Sequence, residues 1–479
     1  MNDRLCDDRD RPSYQAALRW LMGRINYEQN SAIPYHERQL KLDRMRQLLN
    51  RLGNPDAGLK IIHIAGTKGK GSTGAIVATI LRSAGFRVGV FSSPHLYRVE
   101  ERFVVDDTPC NSQEFVDLID RLQPVIKEMD GQTHSQAEQM PGPTYFDVTT
   151  ALAIQYFADR QVDFAVLEVG LGGRLDSTNV CTPIVSVITS ISRDHTKQLG
   201  NSLVSIAREK AGIIKPGVPV ISGVTADGPR DVIVQIAREH DCRLIEKGPQ
   251  FEICYRAALD PQPHGRVDFS FHAGDVELEL HDARLALLGK HQATNAAVAI
   301  ATTLELRLQG WHIRNDDIRK GLATARLPAR IEQISNQPAV ILDTAHNSAS
   351  VQALADTLEE YFRPARRHLL FAVSEDKDVQ KIVSILAPYF DQFVATQYRQ
   401  NVRALPAKRL AAIVTEELQR IGREETPVQS FDYPETAWKY LLETVAPDEL
   451  VAITGSFFIA SEMRQIFFGE NACQGEPIL

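Results

Sequence analysis

Within the stretch IIHIAGTKGKGSTGAI, Ile61 to Ile76, one lysine stands among glycines and hydroxyls. Lys70 offers a mobile positive charge, and Ser72 and Thr73 offer hydroxyls for phosphate or Mg²⁺. Gly66, Gly69 and Gly71 let the backbone turn at positive φ and come close to a ligand. The strict P-loop pattern G-x-x-x-x-G-K-[ST] is not met, because Gly71 separates Lys70 from Ser72. The surroundings nevertheless favour a phosphate cradle. Ile61, Ile62 and Ile64 read as a short buried strand, and STGAIVATILRSAG as a helix from a hydroxyl N-cap at Ser72 to a stopping Gly85. Strand, glycine loop and helix N-terminus together aim backbone N–H groups and a helix dipole at one spot. The plainer alternative is a glycine-rich connection with a surface lysine.

Other polar groups recur where apolar runs end. FSSPHL puts Ser92, Ser93 and His95 after one such run. Glu168 lies inside the apolar DFAVLEVG, where a buried carboxylate needs a cation or donors. A Walker-B-like role toward Mg²⁺ suits it, and pairing with Arg174 is the alternative. Asp194 and His195 follow VITSIS, and Lys210 lies in AREKAGIIKPG. Further on, ILDTAHN places Asp343, His346 and Asn347 at a strand end, and ITGSFF does the same with Thr454 and Ser456. In open α/β sheets that carboxyl edge is where ligands bind. The expectation is an ATP-driven reaction in a cleft between two domains. These features alone leave kinase, ATPase and ligase open.

The elements that must carry these groups alternate. KIIHIAG, RVGVFSS, DFAVLEVG, PIVSVITSI and VPVISG read as strands between helical stretches, the signature of a mostly parallel α/β sheet. VDFSFHAGDVELEL alternates instead and reads as a hairpin. Tyr14 to Leu52 reads as helices around the polar NYEQNSAIPYHERQ. Pro328 breaks the helical pattern, and a second α/β series follows: AVILDTAHN, RHLLFAVS, DQFVATQ and ELVAITGS. It lacks G-x-G-x-x-G, so dinucleotide binding is not indicated.

At 479 residues the chain suffices for two or three domains. A net charge of −8 argues against a nucleic-acid surface. No apolar run approaches the ~20 residues of a membrane span, and the charged start MNDRLCDDRDRP does not read as a signal peptide. The six cysteines are scattered without a C-x-x-C pair, as in a reduced cytoplasmic protein.

Taken together, RMRQLLNRLGNP, IHIAGTKGKGS, FSSPHL, TYFDVTTALAIQYF, AVLEVGLGGRLDSTN, ITSISRDHTKQLG, IAREKAGIIKPG, GKHQATNAAVA, DTAHN and TGSFF resemble one family. It is folylpolyglutamate synthase/dihydrofolate synthase, a branch of the Mur-type ATP-dependent amide ligases, and the likeness runs from about Leu40 to Arg464. The family loop reads G-T-[NK]-G-K-G-[ST], so the lysine spacing here follows it. The resemblance implies an N-terminal P-loop Mur-ligase-type ATPase domain with a mostly parallel sheet, residues 1–326. A smaller C-terminal Rossmann-like α/β glutamate-ligase domain, residues 327–479, would follow.

It also implies roles. Gly66, Thr67, Gly69, Lys70, Gly71 and Ser72 would wrap the ATP phosphates, with Asn295, Arg330 and Asp343 also on the nucleotide. Ser93, Glu168 and His195 match magnesium ligands, which moves the metal hydroxyl from Ser72 to Ser93. Lys210 matches a lysine carbamylated to hold a second Mg²⁺, and a monovalent cation belongs to the same expectation. Thr144, Tyr145 and Phe146 match a segment lining the pterin-side substrate site, and His346 would help place the acyl phosphate or nucleotide.

The implied reaction phosphorylates a carboxylic acid with ATP and displaces the phosphate with the amine of L-glutamate. Folate or dihydropteroate is the acid, and the protein is expected to be a cytoplasmic monomer without nucleic-acid or membrane partners. IPYHERQLKLDRM stands where bifunctional members carry an IDLGLERV-like segment, and Lys68 stands where bacterial members usually have Asn. LPARIE lacks the glycine that the family favours before the arginine. The first two departures weight the expectation toward folylpolyglutamate synthesis over dihydrofolate synthesis. A Mur-like ligase for another acid, or a nucleotide-binding regulator without activity, are the rival readings.

If Lys70 neutralises the transferring phosphoryl group, Lys70→Ala lowers turnover by orders of magnitude without changing the fold. Steady-state rates beside circular dichroism check this, and wild-type rates would remove the loop from the chemistry.

Overall fold

The computed structural model describes residues 11–28, 42–132, 142–193, 200, 202–257, 264–399 and 401–469. The chain falls into two compact units. One comprises Met1–Cys254, Val267–Arg284 and Ala293–Ala325; the other comprises Tyr255–Arg266, Leu285–Gln292 and Arg326–Leu479.

The first unit is built on strands β1 (Ile61–Ala65), β2 (Val88–Phe91), β3 (Phe103–Val105), β4 (Thr108–Pro109), β5 (Phe164–Glu168), β6 (Val185–Ile188), β7 (Val220–Ser222) and β8 (Leu244–Glu246). They form one sheet in the order β4-β3-β2-β5-β1-β6-β7-β8. From β2 to β8 all pairs are parallel, while β3 and β4 run antiparallel at one edge. Every residue of β1 and β5 is buried. Such continuous apolar runs belong to strands covered on both faces by helices. The register pairs Ile64 with Glu168 and Ala65 with Ile188. The carboxyl ends of β5, β1 and β6 therefore lie side by side.

The helix Lys70–Ser83 leaves β1 and packs back on the sheet through Gly74, where a Cβ would stand 3.3 Å from Val166. The helix Asn315–Thr324 meets it at Gly321, where a Cβ would approach the Ile80 backbone to 2.7 Å. Only glycine permits that approach.

The N-terminal helices Pro12–Met22 and Leu42–Arg51 bury Tyr14, Leu21, Met45 and Leu48 against the helices Ser112–Gln132 and Tyr145–Asp159. A buried ion pair, Arg44 to Asp147 at 2.6 Å, fastens this layer. Asp147 also accepts from Thr144 N at 2.8 Å and from Ser177 Oγ at 2.7 Å. Of the polar NYEQNSAIPYHERQ, residues 29–39 lie outside the described residues.

Strands β9 (Phe251–Arg256), β10 (Gly265–Ala273) and β11 (Val276–Leu285) form a separate sheet ordered β11-β10-β9. Gly274 and Asp275 join β10 to β11. So short a link fits only antiparallel strands.

The second unit holds β12 (Glu332–Asn336), β13 (Ala339–Leu342), β14 (Arg367–Phe371), β15 (Gln392–Ala395), β16 (Val428–Ser430) and β17 (Leu450–Thr454). Their order is β12-β13-β17-β14-β15-β16, parallel except for β12 against β13. Leu369, Phe371, Phe393 and Ala452 lie in its core with Leu354 and Leu410 of the covering helices.

One polar chain crosses the first core. His63, wholly buried in β1, meets Thr178 Oγ1 at 2.8 Å, and Thr178 donates its hydroxyl hydrogen to Asp176 at 2.6 Å. Thr178 must then accept from His63 Nε2–H, leaving Nδ1 as a lone pair toward the Cys181 thiol at 3.9 Å. Burial, helped by the charge of Lys215, pushes the His63 pKa down to about 3. Below the ordinary histidine range the unfolded chain takes up a proton that the folded chain refuses, so stability falls as pH falls from about 6.5 toward about 3. Between pH 7 and 5 that loss comes to about 2 kcal/mol. Urea unfolding at both pH values should show wild type losing about that much more than His63→Gln. Equal losses would mean that native His63 is protonated.

Candidate active site

The glycine loop departs from its sequence reading in one respect. The helix begins at Lys70, not Ser72, with Gly69 in the left-handed region at φ +84° as its N-cap and no side chain capping it. Thr73 N donates to Gly69 O at 2.8 Å, closing the first helical turn. The N–H groups of Lys70, Gly71 and Ser72 precede that turn and have no acceptor within the helix. A side-chain cap would occupy the position an anion needs; here glycine makes the turn and leaves it open.

The chain after β6 clamps the loop. Thr67 N donates to Ser190 O at 2.8 Å, and Lys68 N to Ser190 Oγ at 3.0 Å. Thr189 and Ser190 hydroxyls donate to Lys68 O at 2.7 and 2.9 Å. Lys210, 5% exposed on the helix Leu203–Ala211, also donates to the loop, from Nζ to Gly66 O at 2.9 Å. Asn295 stands against Gly69, where a Cβ would lie 2.1 Å from Oδ1.

Glu168 closes β5 with its side chain 3.8 Å from Lys70 Nζ. The alternative partner, Arg174, is engaged elsewhere, donating to Glu209 at 2.9 Å. The glycine-rich turn after Glu168 docks on the end of the Lys210 helix. Arg174 N donates to Glu209 O at 2.8 Å, and a Cβ on Gly173 would meet that carbonyl at 2.9 Å. Asp176 holds the turn through Leu171 N at 2.9 Å, and burial pushes its carboxyl up to about 6.

One uncapped helix end, Lys70, Glu168 and Lys210 thus converge at neighbouring strand ends. Gly71 lies beside the carboxylate, its Cβ position 3.5 Å from Glu168 Oε2. The donors fit a polyphosphate, and the carboxylate beside them would suit a divalent cation. Ser93 follows β2, next to β5, and is half-buried. Asp194 and His195 lie outside the described residues.

Thr144 is the N-cap of the helix Tyr145–Asp159 in a reciprocal capping box with Asp147. Tyr145 is buried, and Phe146 packs on Gly170, where a Cβ would stand 2.5 Å from its ring. The sequence reading did not single out Thr189 or Arg102. Thr189 had a usable signal, a hydroxyl pair directly after an apolar run. Arg102 had none, because its partner Glu28 lies 74 positions earlier.

In the second unit, Asp343 follows β13 and accepts from Ile331 N at 2.9 Å and Ala345 N at 2.7 Å. Burial raises its pKa and the nearby Arg330 charge opposes the rise. Arg330 lies 4.9 Å over the Phe457 ring and donates to Thr344. His346 donates from Nδ1 to Thr344 O at 2.8 Å. Ser456 caps the helix Phe457–Phe468 after the neighbouring β17.

Comparison with known proteins matches two domain families. Residues 64–303 match the Mur ligase middle domain, and residues 329–457 the Mur ligase glutamate ligase domain. A Bacillus subtilis protein named dihydrofolate synthase/folylpolyglutamate synthase is 34% identical over 95% of this chain and 99% of its own. The structure of Mycobacterium tuberculosis folylpolyglutamate synthase complexed with ADP and AMPPCP superposes with a TM-score of 0.81 at 30% identity, covering 95% of this chain and 98% of that one. E. coli FolC in complex with DHPP and ADP gives a TM-score of 0.76 at 29% identity, over 94% and 97% of the two chains.

A side chain at position 69 would meet both the left-handed φ and Asn295. Gly69→Ala should weaken ADP binding at least tenfold by calorimetry, whereas Gly58→Ala, with nothing within 4 Å, should leave it unchanged. Normal affinity in Gly69→Ala would place the nucleotide away from this loop.

Proposed function

The chain belongs to the folylpolyglutamate synthase/dihydrofolate synthase branch of the Mur ligase family, and on that premise we propose how its residues join L-glutamate to a folate at the expense of ATP. The observation that supports this most directly is the uncapped N-terminus of Lys70–Ser83 beside Lys70 and Glu168. The loop Gly66, Thr67, Gly69, Lys70, Gly71 and Ser72 would take the phosphates, with Asn295 beside it and Arg330 and Asp343 as further nucleotide-binding groups.

The substrate carboxylate attacks the γ-phosphorus of ATP, the bond to ADP breaks, and an acyl phosphate results. The glutamate amine then attacks the acyl carbon, loses a proton, and phosphate leaves through a tetrahedral intermediate. Lys70 stabilises the charge on the transferring phosphoryl group. Ser93, Glu168, His195 and Lys210 would hold Mg²⁺, two ions in all, whose chemistry is to neutralise phosphate charge. We assign Lys210 the carbamylated form in the active enzyme, and we allow a monovalent cation beside the nucleotide.

Thr144, Tyr145 and Phe146 would line the acid's pterin side, and His346 would help place the acyl phosphate. We divide these tasks between a nucleotide-binding part, residues 1–326, and a glutamate-ligase part, residues 327–479, in a cytoplasmic monomer.

Tetrahydrofolate is the acid we assign, on the strength of Lys68 and the altered segment before Met45. ADP release with Mg-ATP and L-glutamate should require the acid and the amine together. Turnover with tetrahydrofolate alone would make it a dedicated polyglutamylation enzyme, and turnover also with 7,8-dihydropteroate a bifunctional one. Release with water alone, or none with either acid, would overturn the proposal. Lys210→Ala should lose activity that acetate partly restores; no response to acetate or to bicarbonate would make Lys210 a cation only.

A further inference from the structure

Arg102 ends the 3-10 turn Val99–Arg102 just before β3 and is 1% exposed. Its two terminal nitrogens donate to the two carboxylate oxygens of Glu28 at 3.0 and 2.6 Å. Its Nε donates to His95 Nδ1 at 2.8 Å, and its guanidinium lies 5.3 Å from the ring centre of Tyr145. Its carbonyl accepts from Ser92 N at 3.4 Å. One buried side chain thus ties the loop carrying Ser93 to the start of the helix carrying Tyr145 and Phe146.

The chemistry of the pair settles the histidine tautomer. A guanidinium has only donors and keeps its charge at any working pH. His95 Nδ1 must therefore present its lone pair, and the ring hydrogen sits on Nε2. Among the described residues nothing hydrogen-bonds Nε2. The ring is a fixed single donor with its donating end unused.

Where that donor stands matters. His95 lies two residues beyond Ser93, on the metal and phosphate side of the proposed reaction. Tyr145, against the same guanidinium, lies on the acid side. The first chemical step must bring a carboxylate oxygen from the second group to a phosphorus held by the first. Resting on the ligase reaction proposed above, we propose that Arg102 is a positioning residue that presents His95 as an Nε2–H donor to an anionic oxygen of the carboxylic-acid substrate, both as carboxylate and as acyl phosphate. A neutral N–H orients a carboxylate while drawing less charge from its nucleophilic oxygen than a cation would. Glu28 balances the Arg102 charge that would otherwise fall on the same oxygen.

The tautomer is read without turnover, from two-bond ¹H–¹⁵N spectra of histidine-labelled protein, with His95 assigned by its loss in His95→Gln. The expectation is hydrogen on Nε2 in wild type and a mixed tautomer in Arg102→Met; hydrogen on Nδ1 in wild type overturns the proposal.

In steady-state assays, His95→Ala should raise the acid KM about tenfold while the Mg-ATP KM stays within twofold. His95→Gln, whose amide nitrogen reaches the same place, should recover most of the loss. Arg102→Met added to His95→Ala should raise the acid KM no further. A Mg-ATP KM that rises as much as the acid KM, or no recovery with glutamine, would make the pair a structural strut and overturn the inference. A wild-type protein inactive on both folate acids would sink the proposed function, while the spectra would still judge Arg102.

Discussion

The amides that open the helix Lys70–Ser83 have no acceptor inside the helix and no side-chain cap, so the loop before them must be held from outside. That requirement organises the first unit. Thr189 and Ser190 grip Lys68 from the chain after β6, while Lys210 grips Gly66 from the helix Leu203–Ala211. Each such hydrogen bond contributes about 1 kcal/mol. Together they fix a backbone whose own amides find no acceptor within the helix. Pre-organised donors of this kind need no rearrangement when charge arrives, which is the condition for stabilising a phosphoryl group in flight.

The same logic explains the glycines that matter. At Gly69 the left-handed turn and the nearness of Asn295 both exclude a side chain, and at Gly173 the backbone touches the carboxyl end of the Lys210 helix. Each lets two main chains, or a main chain and a functional side chain, approach more closely than a Cβ permits. Arg44 and Asp147 perform a comparable task with charge. Their pair is buried, with Thr144 and Ser177 supplying the carboxylate's remaining hydrogen bonds. Removing one partner from such a pair strands a charge in the core at about 3–5 kcal/mol, which makes the layer around the Tyr145 helix an all-or-none construction.

How much of this the sequence disclosed depends on the distance over which each feature is decided. The strand, glycine loop and helix around Lys70 are local, and their apolar spacing and glycines announce them. Glu168 is legible because a carboxylate in an apolar run demands a partner. The start of the helix at Lys70 was not legible, since Ser72 carries the stronger capping signal and Gly69 makes the turn without a side-chain cap. Thr144 gives its hydroxyl and amide to Asp147, a capping role that its family likeness does not announce. The grip of Arg102 on Glu28 and His95 joins residues with no shared periodicity. Tyr255 likewise belongs with the second unit, where its hydroxyl bonds Glu360 and Tyr361 more than a hundred positions later. Pairings decided by tertiary contact leave no mark on local pattern.

The register of β5, β1 and β6 carries a consequence for how this protein can change over generations. Glu168, the loop at Gly66 and the Thr189–Ser190 hydroxyls sit at adjoining strand ends, and neighbouring strands are roughly 4.8 Å apart. The sheet is in effect a ruler for the chemistry. Inserting or deleting one residue within any of the three strands would turn its side chains to the opposite face and withdraw its group from the others. Length variation among descendants should therefore collect at the antiparallel β3–β4 margin and in the connections beyond β8, while these three strands keep their count residue for residue.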